Sequence, residues 1–272
     1  MNTITPNPDT AHSKDEIASN IEMTISDNHT EYMESASNEN EEIISANTSS
    51  PIIKRRLLHI VFENTIHPNE LPAFRGAIIH KVGKEHILFH NHSSDGYIYK
   101  YPLIQYKLYQ QKHPSILCIE LGVDEIYHFF KNKNWDIHLN GTPIELKVKQ
   151  LNLFDATFRP IVALKKYHIH NWLALNEENY KKYTNTISLK DKITLLENIL
   201  KGNILAMAKG IDWHISHQIE LNIENINQQK ILKYKNIPLS AFSVTFYTNL
   251  ILPNYISLGK GASLGFGEIR KD

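Results

Sequence analysis

The chain has 272 residues, 42% of them hydrophobic, enough for one large domain or two of ordinary size. Its 29 basic residues balance its 29 acidic ones, and it carries a single cysteine, Cys118, in an apolar run. That usage excludes a disulfide framework or a thiolate zinc site and suits a reducing cytoplasm, while the lack of a long apolar stretch or signal core argues against a membrane or exported protein.

The zero net charge hides a division. Residues 1–50 hold ten carboxylates and one base, Lys14, so they carry −9 and the remainder +9. Thirteen of the fifteen histidines lie in that remainder. Residues 1–51 are rich in Ser, Thr, Asn and Glu without a sustained apolar period, the composition of a disordered acidic tail. The basic body is suited to a polyanion.

Within the body, Leu57 to Phe62 is an apolar run of strand length, and Leu71 to Val82 has helical periodicity through Leu71, Phe74 and Ile78. After a turn at Asp95-Gly96 come a β-rich stretch from Tyr97 to Tyr109, a strand over Ile116 to Leu121, a helix over Val123 to Phe130 and a strand over Trp135 to Leu139. The order β-α-β-β-α-β predicts a ferredoxin-like unit over residues 52–141. A second unit over residues 142–272 is expected from strands at Ile144 to Phe154 and Ile161 to His170. Its helices lie near Glu177 to Tyr183 and Leu189 to Ala208, and later strands near Ile219 to Ile223, Lys230 to Tyr234 and Ala241 to Leu250. The predicted fold class is therefore α+β, two tandem ferredoxin-like (RRM-like) units behind an acidic tail.

Four glycines fall in the nine residues Gly259-Lys260-Gly261-Ala262-Ser263-Leu264-Gly265-Phe266-Gly267. The spacing fits neither a P-loop, which needs a helix for which no room remains, nor a dinucleotide fingerprint. Backbone of this kind either makes a tight turn before the last strand or approaches a ligand closely.

The segment Leu258 to Ile269 resembles the C-terminal glycine-rich loop of the RAMP superfamily, specifically the CRISPR-associated endoribonucleases that process repeat RNA. Three further stretches resemble the same family: Leu71-Pro72-Ala73-Phe74-Arg75-Gly76-Ala77, Tyr101-Pro102-Leu103-Ile104-Gln105-Tyr106-Lys107, and Trp172-Leu173-Ala174-Leu175-Asn176 with Asn179-Tyr180. The resemblance implies tandem ferredoxin-like units that bind CRISPR repeat RNA, with Gly259, Lys260, Gly261, Ser263, Gly265 and Gly267 beside the RNA and Arg75 and Lys260 as phosphate contacts. It also implies a catalytic histidine between the first helix and the second strand, where the chain offers His80, His86, His90 and His92.

His90 and His92 are the expected pair, because extended backbone turns residues two apart to one side and imidazoles act as base and acid near neutral pH. Tyr97, with Tyr99, follows close by and is a candidate to orient the phosphate. The implied activity is metal-independent cleavage within repeats, leaving a 2′,3′-cyclic phosphate and a 5′-hydroxyl. The rival is an inactive RAMP-type subunit that grips guide RNA in an effector complex. No cofactor is expected: His168-Ile169-His170 and His214 with His217 lack convincing third and fourth ligands. Other CRISPR-associated proteins are further expected partners, and the chain is expected to be a monomer or homodimer. Trp135, Trp172 and Trp213 are read as packing residues rather than base-stacking platforms.

Overall fold

The computed structural model describes residues 51–93, 96–97 and 100–272. The acidic tail lies outside these residues, as does Tyr99. Strand β1 (Ile53–Phe62) leads through a 3-10 turn to helix α1 (Leu71–Val82). The two-residue strands β2 (His92–Ser93) and β3 (Gly96–Tyr97) follow, then β4 (Ile104–Tyr109), β5 (His113–Ile119) and the short helices α2 (Leu121–Glu125) and α3 (Tyr127–Phe130). Next come β6 (Asp136–Leu139), β7 (Thr142–Glu145) and the 25-residue β8 (Val148–Trp172). The rest comprises α4 (Glu177–Asn185), α5 (Leu189–Gly210), β9 (Leu221–Tyr234), β10 (Ile237–Ile251) and β11 (Glu268–Lys271).

The principal sheet runs β4-β5-β1-β8-β10-β9, with β11 also paired to β8, and its ladders are antiparallel. Two ferredoxin-like units share β8. Its first part pairs with β1 from Val148 to Phe158 and is the fourth strand of the first unit. From Arg159 onward it pairs with β10 and becomes the first strand of the second. In the second unit the order β9-β10-β8-β11 repeats β4-β5-β1-β8 of the first, and the glycine-rich segment stands where the second helix would be.

Two expectations change here. Asp136–Leu139 does not close the first unit but forms a separate hairpin with β7. The closing strand, residues 148–158, lies beyond residue 141. Residues 219–234, read as two strands, are one long strand over most of their length.

Each unit has its own core, and β1 serves both. Alternate side chains of a strand face opposite ways, so Leu58, Ile60 and Phe62 pack under α1 with Phe74, Ile78 and Tyr106. Leu57 turns to the other side and joins the core beneath α5, with Leu196, Leu200, Ile204, Ile169 and Phe246. This two-sided burial explains why β1 is nearly continuous in apolar residues from Leu57 to Phe62. Trp172 and Trp213 are buried in the second core, their indole N–H groups donating to Asn203 Oδ1 and the Pro51 carbonyl. Helix α4 starts at Asn176, whose side chain accepts from the Asn179 N–H at 2.7 Å, and α5 starts at Ser188, which caps Asp191. Among the described residues no helix is long and apolar enough to cross a membrane.

Candidate functional site

The face of the first sheet opposite α1 meets the second unit through a polar seam. Tyr101 donates from its hydroxyl to the Ser257 carbonyl at 2.9 Å, and Gln105 bridges the Tyr101 hydroxyl and the Ser257 N–H. Lys107 on β4, buried to 3% exposure, donates to Ser257 Oγ and lies 3.5 Å from the Glu268 carboxylate. Burial pulls its ammonium down to about 8, against the opposing pull of Glu268. His59 on β1 lies in the same seam, stacked 5.2 Å from Tyr255, and burial followed by the nearby Lys107 charge lowers its imidazole to about 4.

Ser257 and Glu268 stand at the two ends of the glycine-rich segment and face each other across a bridge. Lys107 therefore holds both ends of the loop at its base. The loop is closed further by the Leu258 N–H donating to the Gly267 carbonyl at 2.8 Å and the Gly267 N–H donating to the His170 carbonyl at 3.0 Å. Two glycines are required by this closure. A Cβ on Gly267, at φ 69°, would meet the Leu258 carbonyl oxygen at 2.1 Å, and one on Gly259, at φ 82°, would meet Asn203 Oδ1 at 2.6 Å. Between them the loop reaches the surface: Lys260 is exposed, Gly261, Ser263 and Gly265 are half-buried, and Ala262 is buried beneath them.

The tip of the β9–β10 hairpin comes to the same place. Tyr234 packs edge-on to Phe266, with the Lys260 and Lys235 ammonium groups 5.8 and 5.9 Å from its ring centroid. An aromatic ring flanked by two lysines beside a glycine-rich backbone is suited to a ribose-phosphate chain. Neither Tyr234 nor Lys235 stood out in the sequence. The turn Lys235-Asn236, both residues at positive φ, lacks the glycine that marks such hairpins.

His90 caps a 3-10 turn over Ile87–Phe89 that follows α1. Its backbone carbonyl accepts from Arg75 Nη2 at 2.8 Å, and the Arg75 guanidinium lies 6.0 Å from the ring centroid of Tyr106, whose hydroxyl donates to the Phe89 carbonyl. Arg75 is thus engaged in holding the backbone at His90, and its Nε is buried. His90 Nε2 lies 2.8 Å from the Lys84 carbonyl. A carbonyl only accepts, so Nε2 carries the proton and Nδ1 carries the lone pair of the neutral ring.

The extended run expected for His90-Asn91-His92 is not what forms. The Asn91 N–H turns back to the Ile87 carbonyl at 2.7 Å and its φ is 55°, so the alternation that aligns residues two apart does not apply from His90 to His92. Asparagine tolerates that conformation better than most residues. The β2–β3 ladder instead sets the His92 backbone opposite Tyr97.

His80 is exposed at the end of α1, and His86 belongs to another group of side chains. His168 of β8 is engaged elsewhere, with Thr245 Oγ1 at 3.0 Å and Asp272 at 3.1 Å.

A model of the Cas6b N-terminal domain matches residues 53–157 and one of the Cas6b C-terminal domain matches residues 160–272. The chain belongs to the Cas6b family. The two Cas6b domains meet at the point where β8 passes from β1 to β10. A crystal structure of Cas6b is similar with a TM-score of 0.68 and 26% identity, covering 81% of this chain and 100% of that one. A crystal structure of the CRISPR RNA processing endoribonuclease Cas6b is similar with a TM-score of 0.61, the same identity and the same coverage. The uncharacterized protein MJ0978 of Methanocaldococcus jannaschii is 32% identical over 141 residues, 46% of this chain and 95% of that protein.

Proposed function

We propose that this Cas6b-family protein cuts CRISPR precursor RNA within its repeats, without a metal ion in the chemistry. The observation that carries the reading is the position of His90, presented at the end of a 3-10 turn with its backbone held by Arg75 and its Nε2–H held by the Lys84 carbonyl. In the neutral ring Nδ1 is then the basic atom, and His90 removes the proton from the ribose 2′-hydroxyl. The 2′-oxygen attacks the adjacent phosphorus, the bond to the 5′-oxygen breaks, and His92 in its protonated state supplies the proton that the leaving oxygen needs. The products are a 2′,3′-cyclic phosphate and a 5′-hydroxyl. Tyr97, opposite His92 in the β2–β3 ladder, orients the phosphate. Arg75 is a positioning residue acting through His90, and Lys260, Tyr234 and the loop surface at Gly261, Ser263 and Gly265 bind the strand, while Gly259 and Gly267 close the loop beneath them.

The test is cleavage of a repeat RNA by His90→Ala and His92→Ala. Each is expected to lose ~10²- to 10⁴-fold in rate, the usual cost of removing a general acid or base. Wild-type cleavage by both variants contradicts the assignment, and binding without cleavage by the wild type favours a guide-gripping subunit.

A further inference from the structure

Three donor side chains that take no part in the seam or the glycine loop converge on the segment just before His90. His86 lies on the loop after α1, Glu125 ends α2 and His128 is on α3. Ile126, which joins the two helices, is itself helical at φ −62°, so Glu125-x-x-His128 runs as one continuous turn and both side chains share its face. His86 reaches that face from a distance of 39 residues in sequence, its Nδ1 3.0 Å from Glu125 Oε1. The two imidazole centroids are 3.7 Å apart, and the three donor atoms lie within 4.8 Å of one another. The group is sheltered, the His86 and Glu125 side chains being 16% and 24% exposed.

We propose that His86, Glu125 and His128 bind a first-row divalent transition metal ion, with Zn²⁺ as the favoured ion. Two imidazoles and one carboxylate are a donor set that zinc takes readily, and the hard cations Mg²⁺ and Ca²⁺, which prefer oxygen ligands, are disfavoured. Lys131 Nζ lies 2.9 Å from His128 Nδ1 and donates to its lone pair. Binding the ion displaces that ammonium, either freeing Nδ1 for the metal or letting the ring proton move to Nδ1 so that Nε2 becomes the ligand. Glu85, whose carboxylate is 3.9 Å from His86 Nε2 and largely exposed, is placed to supply a fourth ligand in competition with water. Bound there, the ion ties residues 83–90 to α2 and α3 and so stiffens the approach to His90. Arg75 holds the His90 carbonyl independently of the ion, so metal binding and RNA cleavage are separable. The inference does not depend on the RNA-cleaving reading.

The test is calorimetric titration of ZnCl₂ into the full, tag-free chain after removal of metal with chelator, beside Glu125→Gln, His128→Gln and the exposed-surface control His214→Gln. One ion per chain is expected for the wild type and for His214→Gln. Loss of a direct ligand is expected to weaken binding by at least the roughly 10- to 100-fold that loss of an outer partner costs. Co²⁺ is expected to give the visible d–d absorption of a low-coordinate site, and Zn²⁺ to raise the Tm of the wild type. Absence of stoichiometric binding to the wild type, or equal binding by the wild type and both ligand variants, overturns the proposal. Should a ligand variant fail to fold, the wild-type Co²⁺ spectrum decides alone: low-coordinate absorption supports the site and its absence sinks it.

Discussion

Arg75 Nη2 donates to the His90 carbonyl at 2.8 Å, linking the middle of α1 to the residue proposed as the base. A charge-assisted hydrogen bond of this kind contributes about 1.5–3 kcal/mol, enough to decide which way a short turn points. Arg75→Ala is therefore expected to lower the cleavage rate at saturating RNA by tenfold or more while leaving RNA affinity within about threefold. The measurement is single-turnover cleavage beside a salt titration of binding. An Arg75 that touched phosphate would instead reduce the log-log salt slope by about 0.7.

Lys260 and Tyr234 are expected to behave in the opposite way. Lys260→Ala should weaken RNA binding and reduce the salt slope by about 0.7, the share of one phosphate contact on a single strand. Tyr234→Ala should cost ~1–3 kcal/mol of affinity, the usual worth of a stacked base, with the salt slope unchanged. Equal affinities for wild type and both variants would remove the hairpin tip and the loop from the RNA path.

The seam makes stability depend on pH in two windows. His59 titrates near 4 in the folded chain against 6.5 when unfolded, so the unfolded chain binds more protons between these values and stability falls as pH drops through them. The shift corresponds to about 3 kcal/mol. His59→Phe should flatten this acid limb by about that amount in denaturant unfolding at pH 4 and pH 7.

Lys107 has the same sign at alkaline pH. Its folded value of about 8 lies below the unfolded 10.5, so its contribution to stability rises with pH between the two. Lys107→Met should lose that rise. The variant should also bind RNA more weakly than wild type, because both ends of the glycine loop lose their common anchor. Unfolding curves at pH 7 and 9.5, with binding measured at pH 7, check both parts.

What the sequence disclosed and what it concealed follow from the range of the interactions. The α1 helix was legible to the residue because its apolar period is regular and Gly83 follows it. The glycine loop was legible because four glycines in nine residues have few local explanations. The strand that closes the first unit was read as a strand over Ile144 to Phe154 but given to the second unit, since the 25-residue β8 runs on without a break into the second unit and nothing local marks the change of partner. The stretch Glu224 to Gln229 likewise disguised the continuity of β9, since all but Ile226 are polar and exposed there. The Lys107 anchor joins residues 150 apart in sequence, and no local pattern announces such a pair. The relation of His90 to His92 was misjudged because a 3-10 turn and a left-handed Asn91 replaced the extended backbone assumed from the alternation.

The central claim is that two histidines and the RNA's own 2′-hydroxyl perform the cleavage. Its most direct test is to incubate the full chain with a repeat RNA in excess chelator, in parallel with the same RNA carrying a 2′-deoxy sugar at the scissile nucleotide, and to identify the product ends. The account predicts undiminished cutting in chelator, a 2′,3′-cyclic phosphate with a 5′-hydroxyl, and no cutting of the deoxy substrate. Cleavage that stops with chelator, or that proceeds on the deoxy substrate, would contradict it.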